Sequence, residues 1–405
     1  MSVSGEHNPA PLRQPLWTPG VIVMLFFMAI GAVAVAARFM FGIGAVANLS
    51  NARPWGLWVA IDVATGVALA AGGFTTAALT HIFGRHQYKS VVRPALLTAM
   101  LGYTFVVLGL LVDIGRSWAI WKPIFNWNTN SVLFEVAMCV MVYLSVLYIE
   151  FLPVVVEGYS GKVSLPRRAA RLNGVVEQLL STADRWLGKT LWVFIIAGVV
   201  LSCMHQSSLG SLLLIAPTKL HPLWYTPILP LLFLVSAIAV GYPMVIFEAT
   251  LASCSLQTDD EMAVLAPLAK ITYYLLGLYF TLKGGDMLWR GTWRYLLDGT
   301  AQSNAFIVEL LCGVIVPWYI LRSPQRRQSR RYLFIAATMV VAGVVINRVN
   351  VFIIGFTPPL THETYSPAIG EIAITCGLIA ALMFLYRILV THLPILSPRR
   401  KEMLK

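Results

Sequence analysis

The sequence predicts an all-α protein that crosses a membrane about ten times. Of its 405 residues, 58% are hydrophobic and only 12% are charged, and the mean hydropathy is +0.74. An ordinary soluble chain carries roughly 25% charged residues. The hydrophobic residues also come in runs of about 20, the length that a helix needs to cross a hydrocarbon core of ~30 Å. We therefore expect a polytopic helical bundle.

Ten apolar segments follow one another along the chain. They are predicted at 17–39, 55–83, 94–114, 132–156, 190–203, 227–251, 264–282, 305–321, 332–354 and 367–389. This divides the chain into an amino-terminal tail (1–16), a transmembrane domain (17–390) and a basic carboxyl-terminal tail (391–405).

The basic residues predict the orientation of these spans. The side that carries both termini holds 19 of the 30 Lys and Arg residues, and the opposite loops hold 7. Because basic loops stay in the cytoplasm, we expect both termini there and the protein in a bacterial inner membrane. The net charge of +12 then reflects topology, and no nucleic-acid partner is expected.

The cysteines and histidines argue against a resident redox centre. Five cysteines occur singly and none forms a C-x-x-C pair, so we expect no iron–sulfur cluster and no c-type haem in this chain. Only His81 and His205 fall near spans, and they are predicted near opposite membrane faces, which excludes one shared b-type haem. No metal site is predicted.

Polar residues inside the predicted spans concentrate near the outer face. At that depth lie Asp62, Asp113, Arg116, Glu135, His205, Gln206, Arg348 and Glu371. Ionisable groups at membrane depth cost at least a few kcal/mol unless they have partners or a function. One reading is a set of structural ion pairs, such as Asp113 with Arg116 three residues later on one helix face. We expect instead a functional site.

The stretch 201–210, LSCMHQSSLG, lies at the centre of this expectation. It is either a helix end that meets water or a pocket for a polar headgroup and a proton. A quinone fits such a pocket, because its carbonyls accept hydrogen bonds and protons and because histidine titrates near neutral pH. A transporter would place the same residue types at the midplane of the membrane.

Several motifs resemble those of the NrfD/polysulfide-reductase membrane-subunit family, most closely the integral membrane subunit of hydrogenase-2-type complexes. The matching stretches are RFMFGIGAVANLSNARPWGLWVAID (38–62), VRPALLTAMLGYT (92–104), DIGRSW (113–118), NTNSVLFE (128–135), MHQSSLGSLL (204–213), HPLW (221–224), IFE (246–248), NRVNV (347–351) and the spacing of Tyr365, Pro367 and Glu371. Together they span nearly the whole chain.

The resemblance implies two four-helix bundles with extra helices and a haem-free, quinone-reactive subunit. It implies electron exchange between the quinone pool (menaquinone or ubiquinone, as a diffusible substrate) and a periplasmic, ferredoxin-like, multi-cluster iron–sulfur subunit. That partner would serve a catalytic module in anaerobic respiration, here the small and large subunits of a nickel–iron hydrogenase. Proton translocation coupled to quinone chemistry is a further implication.

We assign roles to the polar residues on this basis. His205 hydrogen-bonds or protonates the quinone, and Asp113 and Asp62 exchange protons, with Arg116 holding Asp113 ionised. The other predicted pocket residues are Gln206, Ser207, Asn130, Glu135 and Arg348. The predicted proton path comprises Glu150, Glu248 and Glu371.

Three alternatives remain open at this point. The chain could be a passive membrane anchor whose polar residues are structural, a quinol-oxidising subunit of a different complex of the same family, or a secondary transporter.

Overall fold

A computed structural model describes residues 9–12, 14–163, 173–256, 261–359 and 364–398. In these ranges it contains ten helices long and apolar enough to cross a membrane. They are α1 (Pro19–Phe41), α2 (Trp58–Ile82), α3 (His86–Asp113), α4 (Val132–Tyr159), α5 (Asn173–Leu212), α6 (Leu229–Ser255), α7 (Met262–Trp289), α8 (Ala301–Arg322), α9 (Arg330–Ile354) and α10 (Ile369–His392).

The helices pack as two four-helix bundles and one additional pair. Helices α2 to α5 contact one another in bundle one, and α6 to α9 do so in bundle two. The bundles meet along α2 and α6, and α1 packs on α10. This confirms the predicted all-α architecture.

Small residues allow close contact between α1 and α10. A Cβ built on Gly31 would lie only 2.8 Å from the Cα of Gly377. Transmembrane helices commonly associate through small residues, because the hydrophobic effect does not drive apolar helices together in lipid. The pair therefore depends on glycine at both positions.

Two helices depart from the sequence prediction. Helix α5 runs for 40 residues, about 60 Å at the usual rise, and it continues well past 190–203 at both ends. Helix α2 has π-helical turns at Trp58–Thr65 and Ala78–Ile82. Such turns are rare and often occur at functional sites, and the first of them contains Asp62.

The two ends of the molecule lie near His205 and near Glu248. The His205 end carries the α1–α2, α3–α4, α5–α6, α7–α8 and α9–α10 connections. The Glu248 end carries the other connections and the described parts of both tails. At the Glu248 end the tails pair, because the amide N of Ala10 donates to the carbonyl O of Leu396 at 3.1 Å.

Candidate functional site

The polar stretch of α5 is buried in bundle one. His205 is 1% exposed and Gln206 is 0% exposed, and the helix continues to Leu212. Gln206 Nε2 donates a hydrogen bond of 2.8 Å to the carbonyl O of Val67 on α2. The stretch 201–210 is thus the end part of α5, as expected. His205 and Gln206, however, face neighbouring helices and not water.

The core of bundle one holds several buried polar atoms that have no hydrogen-bond partner among the described residues. They are Tyr103 Oη, Tyr143 Oη, Glu150 Oε1, Ser202 Oγ, His205 Nδ1 and Gln206 Oε1. Leaving one such atom buried without a partner costs about 1–3 kcal/mol. A cluster of this kind is suited to binding water or the polar atoms of a ligand.

These groups form a connected series within the bundle. The rings of Tyr103 and Tyr143 meet edge to face, with centroids 4.6 Å apart, and the ring of Tyr103 is 5.5 Å from that of His205. Ser202 lies near both tyrosine hydroxyls, although its Oγ does not meet hydrogen-bond geometry with either of them. The series thus joins α3, α4 and α5 around His205.

The series also runs along the bundle axis. At the usual rise per residue, His205 lies about 10 Å along α5 from Leu212, and Tyr103 lies about 15 Å along α3 from Asp113. Glu150 lies about 27 Å along α4 from Val132. Glu150 is itself buried, at 9% exposed. His205 and Glu150 were predicted from the sequence, but Tyr103, Tyr143 and Ser202 were not. The polar groups of the two tyrosines lie in the middle of predicted spans, and this position could have indicated them.

Asp62 and Asp113 belong to a second cluster, between bundle one and the α1–α10 pair. Asp62 Oδ2 accepts a hydrogen bond of 2.7 Å from Thr375 Oγ1 on α10. Asp113, the last residue of α3, lies within electrostatic reach of Asp62, Glu371 and Arg38. The two aspartates are therefore neighbours, but the structure groups them with α10 and not with His205.

The predicted pairing of Asp113 with Arg116 is wrong. Helix α3 ends at Asp113, so the spacing of three residues no longer places the two side chains on one helix face, and Arg116 is exposed. Arg38 of α1 occupies this region instead. Its Nε and Nη2 donate at 2.7 Å to the carbonyl oxygens of Val112 and Ile114.

Glu371 fastens the start of α10 to the α1–α2 connection. Its Oε1 accepts from the amide N of Asn48 at 3.0 Å, and its Oε2 accepts from the hydroxyl of Tyr365. Burial, together with this bond to Glu371, raises the pKa of Tyr365 above its usual value. Both carboxylate oxygens are thus engaged, which gives Glu371 a tethering role.

The remaining predicted pocket residues of α4 and α5 lie nearer the surface. Glu135 is exposed in the first turn of α4 and accepts a hydrogen bond from the buried Ser208. Asn130 is exposed in the α3–α4 connection, and Ser207 is half-buried. Of this group, only the bond between Glu135 and Ser208 ties α4 to α5 near His205.

Arg348 lies in bundle two, away from His205. It is 1% exposed, its guanidinium carbon lies 3.7 Å from the centroid of the Phe233 ring, and it donates to Asn347 Oδ1 at 2.6 Å. The network continues to Glu309, a buried carboxylate that sequence reasoning missed. Glu309 accepts from Trp224 Nε1, Asn347 Nδ2 and Asn350 Nδ2 at 3.0, 2.7 and 2.8 Å.

Glu248 sits where the two bundles and α10 meet. It accepts hydrogen bonds of 2.7 Å from Thr98 Oγ1 of α3 and from Tyr386 Oη of α10. A pocket lies beside it at the Glu248 end, lined also by Glu261 and Arg330. The carboxyl group of Glu248 therefore borders this pocket.

His81 and His205, the two histidines predicted near spans, are far apart. His81 lies in the last turn of α2, at the Glu248 end, so it and His205 cannot ligate one haem. Among the residues that the structure describes, no three His, Cys, Asp or Glu side chains are grouped as metal ligands.

Comparisons with known proteins agree with this architecture. The family model described as "Polysulphide reductase, NrfD" matches residues 45–359. The chain is 33% identical to the probable Ni/Fe-hydrogenase 2 b-type cytochrome subunit of Escherichia coli K12, over 98% of this chain and 97% of that protein.

Two more distant relatives belong to other complexes. The integral membrane subunit of menaquinone reductase from Nitratidesulfovibrio vulgaris is 26% identical over 96% of this chain and 93% of its own. A selenate reductase subunit from Mesobacillus selenatarsenatis is 23% identical over 94% of each chain.

Proposed function

Because the chain belongs to the NrfD family, we propose that it exchanges electrons and protons with the quinone pool as the membrane subunit of a respiratory oxidoreductase. The observation that carries this proposal is the core of bundle one. There His205 Nδ1 and Gln206 Oε1 are buried without partners beside Tyr103. A quinone headgroup supplies carbonyl oxygens that accept from a histidine N–H and, once reduced, hydroxyls that donate to an amide oxygen.

The named relatives support a quinone as the substrate. One of them is the integral membrane subunit of a menaquinone reductase. Menaquinone and ubiquinone share a pair of ring oxygens, which His205 would donate to in the carbonyl form and Gln206 Oε1 would accept from in the reduced hydroxyl form, so the proposal covers both.

Protons are proposed to move through groups already placed along the bundles. The unpartnered Tyr103, Ser202 and Tyr143 lead from His205 towards Glu150, and Glu248 meets a pocket at the opposite end. Asp62 and Asp113 are proposed to exchange protons at the His205 end of the molecule, where α3 terminates. This arrangement would link quinone chemistry to proton translocation.

The proposed setting is the bacterial inner membrane, with both termini cytoplasmic. The His205 end would then face the periplasm, where a multi-cluster iron–sulfur subunit would bind. The 33% identity to a hydrogenase 2 subunit supports the small and large subunits of a nickel–iron hydrogenase as the catalytic module.

Electron transfer to a water-soluble quinone analogue, measured in membranes that contain the assembled complex, tests this function. His205→Ala is expected to lower the rate at least about 100-fold if His205 acts as an acid or base. Met204→Ala is the matched control, since Met204 is the preceding residue and is 45% exposed. Equal rates for the two variants would contradict the proposal.

A passive anchor is the second candidate. It is favoured because the buried carboxyl groups of Glu309, Glu371 and Asp62 accept hydrogen bonds from neighbouring side chains, as structural residues do. In that case quinone reduction would survive single substitutions at His205, Asp62 and Asp113 wherever the complex still assembles.

A further inference from the structure

The α3–α4 connection carries an unusual concentration of exposed aromatic side chains. Within residues 117–127, here called the aromatic ledge, large apolar side chains are between 47% and 74% exposed. They are Trp118, Trp121, Ile124, Phe125 and Trp127. The proposed site does not use any of them, and their exposure to water would be costly.

The ledge is an ordered structure. Ser117–Ala119 and Lys122–Ile124 form 3-10 turns. The ring centroids of Trp121 and Phe125 are 5.9 Å apart, and the indole Nε1 of Trp127 donates to the carbonyl O of Ile124 at 2.9 Å. The aromatic rings are thus presented in fixed positions.

Local bonds satisfy much of the backbone of the ledge. The amide N atoms of Ala119, Ile120, Ile124, Phe125 and Asn126 all donate to carbonyls three or four residues earlier, at 2.9–3.2 Å. Segments that enter an apolar phase must satisfy their own polar backbone groups. The ledge meets this requirement at these five positions.

The start of the ledge is fixed to the ends of two transmembrane helices. Ser117 Oγ donates to the carbonyl O of Leu111 on α3 at 2.5 Å, and Arg38 Nη2 of α1 donates to Ser117 Oγ at 3.3 Å. The ledge therefore cannot swing away from the level at which α3 ends and α4 begins. Because α3 and α4 are long and apolar enough to span a membrane, their ends are expected at the membrane interface.

The apolar surface of the ledge continues onto the outward faces of the adjoining helices. Leu108 of α3 and Leu133 and Val142 of α4 are 40%, 58% and 42% exposed, as expected of side chains that face lipid. The charged residues in 114–131 are Arg116 and Lys122, both basic. Trp beside basic residues is typical of segments that lie among lipid headgroups.

We infer that the aromatic ledge docks into the lipid leaflet at the His205 end, with its rings between the headgroups and the acyl chains. The partner that covers the ledge is bilayer lipid, and the side chains of Arg116 and Lys122 lie beside lipid phosphates. The ledge then fixes the depth of α3 and α4, and with them the positions of Asp113 and Glu135 relative to the membrane surface.

Cysteine labelling of the full chain in native membrane vesicles tests this inference. Phe125→Cys and Trp118→Cys are compared with Asn128→Cys, an exposed polar position of the same connection. The reagent is a charged, membrane-impermeant maleimide, used in the vesicle orientation in which Asn128→Cys reacts. Two ledge variants are used so that one misfolded protein does not decide the result.

The expected result is that both ledge cysteines react about tenfold or more slowly than Asn128→Cys. This protection should persist after peripheral subunits are removed by a high-salt wash. If washing abolished the protection, the occupant would be a protein partner and the inference would be overturned. Equal labelling of all three positions before washing would also overturn it.

Discussion

Gly198 of α5 lies directly against the carboxylate of Glu150 on α4. A Cβ built on Gly198 would overlap with Glu150 Oε1. The glycine therefore provides the space in which this buried carboxyl group sits, next to the tyrosine and serine groups that lead to His205.

The first prediction concerns Gly198→Ala. The overlapping atom is the end of a flexible side chain, so we expect the fold to survive while Glu150 rotates away. Alanine also favours a helix by up to about 1 kcal/mol over glycine. The number of protons translocated per electron should fall, while thermal stability should not.

Gly188→Ala is the control for this substitution. Gly188 lies in the same helix with open space around its Cβ position, so its replacement should leave proton translocation unchanged and, like Gly198→Ala, should not lower thermal stability. Normal proton translocation in Gly198→Ala would remove Glu150 from the proposed path.

The second prediction concerns the two donors to Glu248. Tyr386→Phe and Thr98→Val each delete one hydrogen bond of 2.7 Å. Because a hydrogen bond to a carboxyl group is worth about 1–3 kcal/mol, each change should slow proton uptake from the Glu248 end. The double variant should be affected less than the sum of the two, since both donors serve one group. Proton uptake in vesicles by the assembled complex measures this, and unchanged rates in both single variants would leave Glu248 with a structural role.

The third prediction separates bundle two from the proposed chemistry. Arg348→Met removes the hydrogen bonds to Asn347 and Ser236 and the stacking on Phe233. Thermal unfolding should show a loss of about 3–5 kcal/mol, the usual cost of removing one partner from a buried charged group. The assembled fraction should still reduce quinone analogues at close to the wild-type rate. Normal stability with lost activity would place Arg348 in the site, as sequence reasoning first had it.

The fourth prediction is a pH dependence in the α5–α6 connection. Partial burial lowers the pKa of His221, while Asp298 opposes the shift. The unfolded chain then binds a proton more readily than the folded chain. Stability should therefore decrease as the pH falls below about 6.5, the ordinary value for histidine. His221→Gln should weaken this acid sensitivity of the unfolding temperature, whereas an unchanged pH profile would show that His221 does not contribute.

Much of the fold could be predicted from the sequence because the bilayer allows few structures to cross it. Runs of about 20 apolar residues had to be helices, and polar residues near their ends had to share a depth. Helix α5 was predicted too short, since His205 to Ser208 resemble a helix end when their buried surroundings are not known.

The grouping of the site residues could not be predicted in the same way. Sequence spacing gives the depth of a residue but not which neighbour it faces. Asp62, His205 and Arg348 share a depth and yet lie in three separate environments. Arg38 was overlooked because one basic residue in an apolar run gave no sign that it would bind the end of α3.

The most direct test of the central claim is a binding titration of a fluorescent quinone-site inhibitor on the purified full-length protein. If His205 hydrogen-bonds the headgroup, His205→Ala should raise the Kd about tenfold, the equivalent of one lost bond to a buried group. Met204→Ala should leave the Kd unchanged. An unaltered Kd in a folded His205→Ala protein would contradict the placement of the quinone in bundle one.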